Sequence, residues 1–347
     1  MARAGRLTQR HIARLAGVSQ ATVSLVLNDA KAAAGRIPDE TRERVQKAIR
    51  ETGYVADPIA RRMAEGLNRI LGVFTYEPAF PSAQADFFAP FLFGIEETAQ
   101  QLGYDLLLLT GAPAARGKRK IFHENNRLRL ADGCLILGRD MDRSELKRLV
   151  LGDYPFVAVG RRDPIGGTGL PYVGAAYAPA TAELVDRAKA RGHTRLAYVG
   201  PGKGAESSVD RWSGFNSALN GARLVKHIAE VGGPAAPMLD AILKSGATAA
   251  FFTELADAVV VDAAARSRNL SVPGDLSIVV LGSHLRPQQS GTRFTTFSIP
   301  REEMARRATQ MLSERIEADS RGGQVLLACE PVEGETLGAI HQETGPT

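Results

Sequence analysis

The stretch Ile12-Ala-Arg-Leu-Ala-Gly-Val-Ser-Gln-Ala-Thr-Val-Ser-Leu-Val-Leu-Asn28 has the pattern of two short helices separated at Gly17. Ser19 is a residue type that favours the N-cap position, so the second helix is expected to begin directly after it. Helical spacing brings a set of apolar side chains together in a small core: Ile12, Leu15, Val18, Val23, Val26 and Leu27. The same spacing turns another set outward: Gln20, Ala21, Ser24 and Leu25. An outward-facing helix of this kind fits the major groove of DNA, so the stretch predicts a DNA-binding helix pair.

Positive charge is concentrated in the first fifth of the chain. Residues 1–69 contain 13 Lys and Arg against 7 Asp and Glu, a net charge of +6. The whole chain of 347 residues contains 43 basic and 38 acidic residues, a net charge of +5, so the remainder carries a net charge of −1. Because binding to DNA depends on contacts with phosphates, this asymmetry supports the assignment of the helix pair.

From residue 70 onward, short apolar segments alternate with amphipathic ones. The apolar segments predict strands at 70–75, 105–109, 133–137, 156–160, 195–200, 249–253 and 277–281, and the segments between them predict helices, including one near 119–130. Buried strands that alternate with helices are typical of parallel sheets covered on both faces. We therefore predict a small all-α helix-turn-helix headpiece over residues 1–56 and an α/β core of two parallel-sheet lobes over residues 70–347. Residues 57–69 are predicted to form a hinge helix and linker, which is too short to be stable in isolation.

Several classes of protein are disfavoured by the residues that the chain contains. Cys134 and Cys329 lie in apolar runs, which predicts buried thiols of a reducing compartment. No segment has the character of a secretory signal or a membrane span, so we expect a cytoplasmic protein that does not enter a membrane. The histidines are scattered singly, and Gly200-Pro-Gly-Lys-Gly204 lacks the spacing of a phosphate-binding loop and is interpreted as a turn. We therefore expect no enzymatic activity, no catalytic residues, no metal and no cofactor.

The chain resembles the LacI/GalR family of bacterial transcriptional repressors along nearly its entire length. The headpiece motifs are Ile12-Ala-Arg-Leu-Ala-Gly-Val-Ser, Ala21-Thr-Val-Ser-x-Val-Leu-Asn28 and Glu40-Thr-Arg-Glu-Arg-Val45, and the hinge motif is Asp57-Pro-Ile-Ala-Arg61. The core motifs include Gly94-Ile-Glu-Glu97, Leu196-Ala-Tyr-Val-Gly200, Arg211-x-x-Gly-Phe215 and Val272-Pro-Gly-Asp275. The headpiece motifs are highly specific, and the core motifs support them by occurring in one consistent order.

The resemblance implies a fold, an assembly and a mode of regulation. The expected core is similar to periplasmic sugar-binding proteins, and the expected assembly is a homodimer or a tetramer that binds a near-palindromic operator in double-stranded DNA. A small-molecule effector, by family default a sugar or a sugar derivative, binds between the two lobes and changes the affinity for the operator.

The resemblance also assigns DNA contacts to particular residues. The implied base contacts are Gln20, Ala21 and Leu25, and the implied phosphate contacts are Ser19, Thr22, Ser24 and Asn28. The hinge residues that would enter the minor groove are Ala60, Arg61 and Met63, with Met63 at the position of the usual intercalating leucine. Leu25 stands where many members carry arginine, so it either touches a thymine methyl group or packs within the helix pair.

The effector contacts depart from the family pattern. Arg211 matches the arginine that commonly holds the effector, whereas Ala176, Glu254 and His284 replace the usual polar residues. Glu254 and His284 would suit a charged or nitrogen-bearing effector, or else they are ordinary polar residues at strand ends. Phe87 would stack on a ring or pack inside the lobe. These departures keep a second function open: a DNA-binding repressor or an architectural protein without a ligand response.

Overall fold

The computed structural model describes residues 7–28, 37–54, 67–77, 85–111, 119–124, 127–282, 291–318 and 323–340. The chain divides into two compact units, Met1–Arg69 and Ile70–Thr347. Most of the predicted hinge, including Ala60, Arg61 and Met63, lies outside the described residues, as does His284. The proposed domain limits at residues 56 and 57 therefore stay a prediction.

The described part of the N-terminal unit consists of helices α1 (Gln9–Ala16), α2 (Gln20–Asn28) and α3 (Asp39–Thr52). Helix α1 ends at Gly17, whose φ of 65° is the left-handed conformation that glycine adopts without strain. The three helices enclose one apolar cluster of buried residues: Ile12, Ala13, Ala16, Val23, Val45, Ala48 and Tyr54. Val18, Val26 and Leu27 pack against this cluster as predicted.

Leu15 was expected in the headpiece core, and this prediction is wrong. Its side chain is 56% exposed. The inner face of α1 is formed by Ile12, Ala13 and Ala16. These residues occupy positions i, i+1 and i+4, which lie on one side of a helix. Leu15 projects from a different side of the helix, because successive residues are rotated by about 100° around the axis.

The C-terminal unit contains two parallel sheets, each at the centre of one lobe. The first lobe has a six-stranded sheet in the order β2-β1-β3-β4-β5-β11, with strands β1 Ile70–Thr75, β2 Asp105–Leu108, β3 Gly133–Leu137, β4 Phe156–Val159, β5 Tyr172–Ala175 and β11 Gln324–Leu327. The second lobe has a four-stranded sheet in the order β7-β6-β8-β9, with strands β6 Arg195–Val199, β7 Arg223–Ile228, β8 Ala249–Phe252 and β9 Ser277–Val280. A short antiparallel pair joins β10 Thr296–Ser298 to β12 Glu330–Val332. The predicted headpiece and two-lobed α/β core are confirmed.

Helices cover both sheets. Around the first sheet lie α4 Ala85–Leu102, α5 Arg143–Leu151 and α10 Arg301–Ala318. Around the second sheet lie α6 Tyr177–Ala190, α7 Glu206–Ser217, α8 Ala235–Lys244 and α9 Leu255–Ser267. In β3, Leu135 and Leu137 enter one apolar cluster, whereas Cys134 and Ile136 enter another on the opposite face. This alternation explains why the strand is apolar throughout.

The prediction of a helix near residues 119–130 is wrong. Within the described part of that segment, Leu128–Leu130 forms a single 3₁₀ turn. The backbone N–H groups of Ile121 and Phe122 each donate to the buried carboxylate of Glu145, with donor–acceptor distances of 3.1 Å. A side chain thus satisfies backbone groups that a helix would have satisfied by itself.

The two cysteines are buried thiols, as predicted. Cys134 lies in β3, and Cys329 lies between β11 and β12; both are free and buried. Burial raises the pKa of the Cys134 thiol to about 12 and that of the Cys329 thiol to about 11. Neither thiol has the reactive thiolate character of a catalytic cysteine.

Candidate functional site

The start of helix α2 is held by the side chain of Ser19. The backbone N–H of Thr22 donates to Ser19 Oγ at 3.1 Å, and the two hydroxyl oxygens lie 2.9 Å apart. This arrangement confirms Ser19 as the N-cap and fixes the angle at which α2 leaves the turn. Ser19 and Thr22, which were both predicted to contact phosphate, therefore form one hydroxyl pair at the N-terminus of the helix.

The predicted base-contacting residues lie on one surface of α2. Gln20 and Ala21 are exposed, and Leu25 is half-buried and outside the set of residues that pack in the headpiece cluster. Arg10 of helix α1 donates through Nε to Gln20 Oε1 at 3.3 Å. Sequence reasoning missed Arg10, which orients the Gln20 amide and adds positive charge beside it. The predicted phosphate contact Ser24 is half-buried on the same helix, and Asn28 is its last residue.

The carboxyl ends of parallel strands from both lobes meet at one cleft. In the first lobe, Arg139 follows β3, and Arg161 with Arg162 follows β4. In the second lobe, Glu254 follows β8 and Gly282 follows β9. The cleft encloses a cavity of about 130 Å³. Ligands of open α/β sheets bind at this end of the strands, so the cleft is the candidate ligand site.

Three of the predicted effector residues line this cleft together: Phe87, Arg211 and Glu254. Phe87 comes from the first turn of α4, Arg211 from α7, and Glu254 from the residue before α9. Ala176 precedes α6, and its backbone N–H donates to the carbonyl oxygen of Leu327 at 2.8 Å. The structure therefore brings together side chains that are more than 160 residues apart in sequence.

Arg211 is held in one orientation on the wall of the cleft. Its Nε donates to the carbonyl oxygen of Leu281 at 2.7 Å, and its Nη1 donates to that of Ser207 at 3.0 Å. The guanidinium lies 3.9 Å from the ring centre of Tyr177. Gly282 has φ of 127°, and a Cβ atom there would lie 3.2 Å from Arg211 Nη2. The positive φ favours glycine at this position, and a Cβ atom would also crowd the guanidinium.

Ion pairs connect the two lobes across the cleft. Arg162 Nη1 lies 2.6 Å from Glu206 Oε2, and Arg161 Nε lies 2.7 Å from Asp210 Oδ2. A third pair joins Arg139 Nη1 to Glu254 Oε1 at 3.4 Å. Burial lowers the pKa of Arg161, but the hydrogen bonds to Asp210 and Asp163 raise it overall. The first two pairs hold the β4–β5 loop of the first lobe against the first turns of α7 in the second, and the third joins the residues that follow β3 and β8.

Arg301 is a buried cation at the same cleft. It is the first residue of α10 and is 6% exposed, with its guanidinium 5.7 Å from the ring centre of Phe87. Burial lowers the pKa of the Arg301 guanidinium, and the positive charges of Arg211 and Arg139 lower it further. Beside them, the buried Oγ1 atom of Thr253 has no hydrogen-bond partner among the described residues.

Sequence reasoning missed most of these arginines, although a signal was present. Arg139, Arg161 and Arg162 each follow a buried strand within three residues, at the end of the sheet where ligands bind. Arg301 carried no comparable signal, because a cation at the start of a helix is usually exposed and its burial depends on tertiary packing.

Two family models match the chain. The model for bacterial regulatory proteins of the lacI family matches residues 8–57, and the model for a periplasmic binding protein-like domain matches residues 185–337. In the described residues, no helix is long and apolar enough to cross a membrane. In the same residues, no group of three or more His, Cys, Asp or Glu is arranged to hold a metal ion.

Curated relatives are similar over almost the whole chain. The HTH-type transcriptional repressor CytR of Escherichia coli strain K12 is 28% identical over 338 residues, covering 93% of this chain and 94% of the relative. The ribose operon repressor of Haemophilus influenzae is 25% identical over 340 residues, covering 92% of this chain and 95% of the relative. These relatives are transcriptional regulators rather than enzymes.

Solved structures share the fold. The lac repressor dimer bound to operator and the anti-inducer ONPF matches with a TM-score of 0.73 at 19% identity, covering 96% of this chain and all of that one. The transcriptional regulator CelR in complex with cellobiose matches with a TM-score of 0.63 at 22% identity, covering 95% of this chain and 100% of that one. At this level of identity the likeness concerns the fold alone.

Proposed function

We propose that the chain is a transcriptional repressor of the LacI family of bacterial regulatory proteins and that it binds a near-palindromic operator as a homodimer. The cleft of its core is proposed to bind a small-molecule effector that changes the affinity for the operator. Binding to an operator requires the chain to act in the cytoplasm, and this location is part of the proposal. A tetramer is the alternative assembly.

The observation that carries the proposal is the exposed surface of α2. Ser19 caps the helix, and Gln20 projects from its first turn with its amide held by Arg10. A glutamine amide can donate to and accept from adenine in the major groove, whereas the hydroxyls of Ser19 and Thr22 suit phosphate oxygens. The net charge of +6 over residues 1–69 supplies the attraction for the DNA backbone.

The arrangement of the core supports regulation by a ligand. The chain passes between the lobes after β5, after β10 and after β11, so the lobes are connected by short segments on which they can rotate. A molecule that binds between the lobes better in one orientation than in the other shifts the population towards that orientation. Such a shift would reach the headpiece through the segment that precedes β1.

The ion pairs across the cleft favour a second candidate function, repression without a ligand response. Arg161 and Arg162 pair with Asp210 and Glu206 of the opposite lobe, so ion pairs of the protein itself already join the two lobes across the cleft. Calorimetric titration of the full chain with small metabolites distinguishes the two functions. Saturable heat that is accompanied by a change in operator affinity supports regulation by an effector, and its absence supports the constitutive repressor.

The proposal is tested first by selecting bound fragments from a random pool of double-stranded DNA at near-physiological salt. We expect enrichment of a two-fold symmetric site, because a dimer presents two copies of α2. Binding that enriches no motif and that salt weakens steeply would contradict a sequence-specific repressor and would indicate an architectural protein.

The role of Gln20 is tested on the selected site. Gln20→Ala is expected to weaken binding by about 1–3 kcal/mol and to relax specificity at one base step. Gln46→Ala is the matched control, because Gln46 is also exposed but lies on α3. Fluorescence anisotropy with single-base variants of the site measures both effects. A uniform loss of affinity over all variants would contradict a base contact by Gln20.

A further inference from the structure

We propose that Arg10 of helix α1 and Gln20 of helix α2 act together in the major groove and select guanine. The inference rests on the proposed function, since it takes α2 as the helix that enters the groove. It goes further by adding a specificity-determining residue from outside that helix and by naming the base that the two side chains select.

Hydrogen bonding between α2 and a base edge depends on one of the implied base contacts. Ala21 and Leu25 have no polar atom in their side chains, so among the three only Gln20 can donate to or accept from a base. Ala21 and Leu25 are restricted to apolar contacts, such as one with the methyl group of thymine. A second polar side chain beside Gln20 therefore has a strong influence on which base is selected.

Arg10 is the side chain that contacts the Gln20 amide. Its Nε donates to Gln20 Oε1 at 3.3 Å, and both side chains are exposed. A guanidinium only donates hydrogen bonds, so the amide atom that faces it is the oxygen. Among the described residues, the Nε2 group of Gln20 donates to no partner, so its hydrogens are available to a base.

The charge of Arg10 is not compensated within the described part of the headpiece. Its side chain forms no ion pair there, and neither α1 nor α2 contains an acidic residue. A guanidinium has five N–H groups, and four remain after Nε has donated to Gln20. Because the group is rigid and planar, the contact through Nε also brings the terminal Nη donors close to the Gln20 amide. The two side chains therefore present several donors side by side.

This set of donors matches the major-groove edge of guanine. Guanine offers two acceptors there, N7 and O6, whereas adenine offers one acceptor and the N6 amino group, which donates. Glutamine usually pairs with adenine by accepting from that amino group through its amide oxygen. In this chain the amide oxygen already accepts from a cation, and the positive charge of Arg10 disfavours a second donor beside it. Thymine offers one acceptor and cytosine offers a donor, so guanine is the base that fits both side chains.

Selection from the random DNA pool with the full chain identifies the base. The position that Gln20 contacts is the one at which Gln20→Ala relaxes the preference. We expect the wild-type chain to select guanine there. Arg10→Met is expected to reduce the preference at the same position about 5- to 150-fold, the range of one good bidentate contact. Selection of adenine at this position, or an unchanged preference in Arg10→Met, would overturn the inference.

Two further variants separate base readout from a general effect of charge. Arg10→Lys should retain part of the preference, because an ammonium group also donates to guanine. Arg14→Met is the matched control, since Arg14 is also an exposed arginine of α1 but has no described contact with Gln20. It should leave the preference at this position unchanged. If Arg14→Met relaxes the position as much as Arg10→Met, or if Arg10→Met weakens binding equally for all four bases, Arg10 acts on the phosphates and the inference is wrong.

A base analogue tests the contact at the level of single atoms. 7-Deazaguanine pairs with cytosine but lacks the N7 acceptor. Placed at the selected guanine, it should weaken binding of the wild-type chain, measured by fluorescence anisotropy. The analogue should not weaken binding of the Arg10→Met/Gln20→Ala double variant, which has no donor at this place. Equal weakening in both proteins would contradict the contact.

The two proposals fail in different ways. A chain that selects a symmetric site without guanine at the position set by Gln20 refutes this inference alone. A chain that selects no site refutes the proposed function, and the inference fails with it.

Discussion

His193 is a buried titratable side chain that connects the second sheet to the C-terminal segment. Its Nε2 lies 2.9 Å from the carbonyl oxygen of Gly338, and its Nδ1 lies 2.9 Å from Thr248 Oγ1. A carbonyl oxygen can only accept, so Nε2 carries the hydrogen and Nδ1 accepts from the Thr248 hydroxyl. Burial lowers the pKa of His193 from its ordinary value of 6.5, and the nearby charge of Arg191 contributes to the shift.

The lowered pKa of His193 predicts a loss of stability in mild acid. As the pH falls below 6.5, the unfolded chain binds a proton on this residue that the folded chain does not, so the free energy of unfolding decreases until the lowered pKa is passed. We expect the unfolding temperature of the wild-type chain to fall between about pH 7 and about pH 5 more steeply than that of His193→Gln. His11→Gln, at an exposed position, should retain the wild-type profile. Equal slopes for wild type and His193→Gln would contradict the role of this histidine.

At the scale of single residues, prediction from sequence succeeded where local chemistry decides. The N-cap at Ser19 depends on the backbone of the next three residues, and the burial of the cysteines follows from their apolar neighbours. Leu15 was placed wrongly because the small Ala13 and Ala16 allow the helices to approach on a different face. The gathering of Arg211 and Arg301 at one cleft depends on contacts between distant segments, which no local pattern encodes.

Among the elements, α7 and the β4–β5 loop form the main connection between the lobes. Glu206 and Asp210 are four residues apart on α7, so both project towards the same side and meet Arg162 and Arg161. Arg162 also donates through Nη2 to the carbonyl oxygen of Gly138 at 2.6 Å. This single side chain therefore joins the loop after β3, the loop after β4 and the opposite lobe.

Removing one partner of the Arg162–Glu206 pair is expected to destabilise the core strongly. Both side chains are largely buried, at 5% and 14% exposed, so Arg162→Met would leave a buried carboxylate without its cation. We expect a loss of about 3–5 kcal/mol in the free energy of unfolding, measured with urea. Glu206→Gln combined with Arg162→Met should cost less than the sum of the single changes, because no unpaired charge remains. Strictly additive losses would show that the two side chains are not coupled.

The half-buried Arg187, whose two carboxylate partners are both exposed, is the control for this experiment. Glu183 and Glu333 are 46% and 63% exposed, so neither would be left as a buried charge. A solvent-exposed ion pair contributes only about 0–1 kcal/mol, so Arg187→Met should change the free energy of unfolding little.

The elements themselves were predicted where the apolar pattern was strong. The largely buried strands β1, β3, β4, β6, β8 and β9 all fall on predicted segments. Strands β5, β7, β10, β11 and β12 were missed. Strands β7 and β11 lie at sheet edges, where partly exposed side chains weaken the apolar pattern. Strand β5 is buried but has only four residues, and β10 and β12 have three each. The helix predicted near residues 119–130 does not form, because the buried Glu145 accepts from the backbone N–H groups of Ile121 and Phe122, a tertiary contact that the local pattern does not encode.

At the scale of the whole molecule, the two units have separate apolar interiors and different chemical roles. The headpiece cluster contains only residues of the N-terminal unit, and the large clusters contain only residues from position 71 onward. The N-terminal unit carries the positive charge, and the C-terminal unit carries the cleft. In the proposed function, DNA binding and ligand binding therefore belong to parts that fold around different cores.

This separation predicts that a change in the proposed hinge affects DNA binding without affecting assembly. Met63→Gly should weaken binding to the selected operator, since it removes an apolar wedge for the minor groove and a glycine disfavours the helix. The mass of the assembly, measured by analytical ultracentrifugation, should not change, because the core is proposed to hold the dimer. Met63→Leu is the matched control and should bind the operator like the wild-type chain, since leucine also provides a wedge. If Met63→Gly were monomeric, the hinge would contribute to assembly, and the separation of roles between the two units would be wrong.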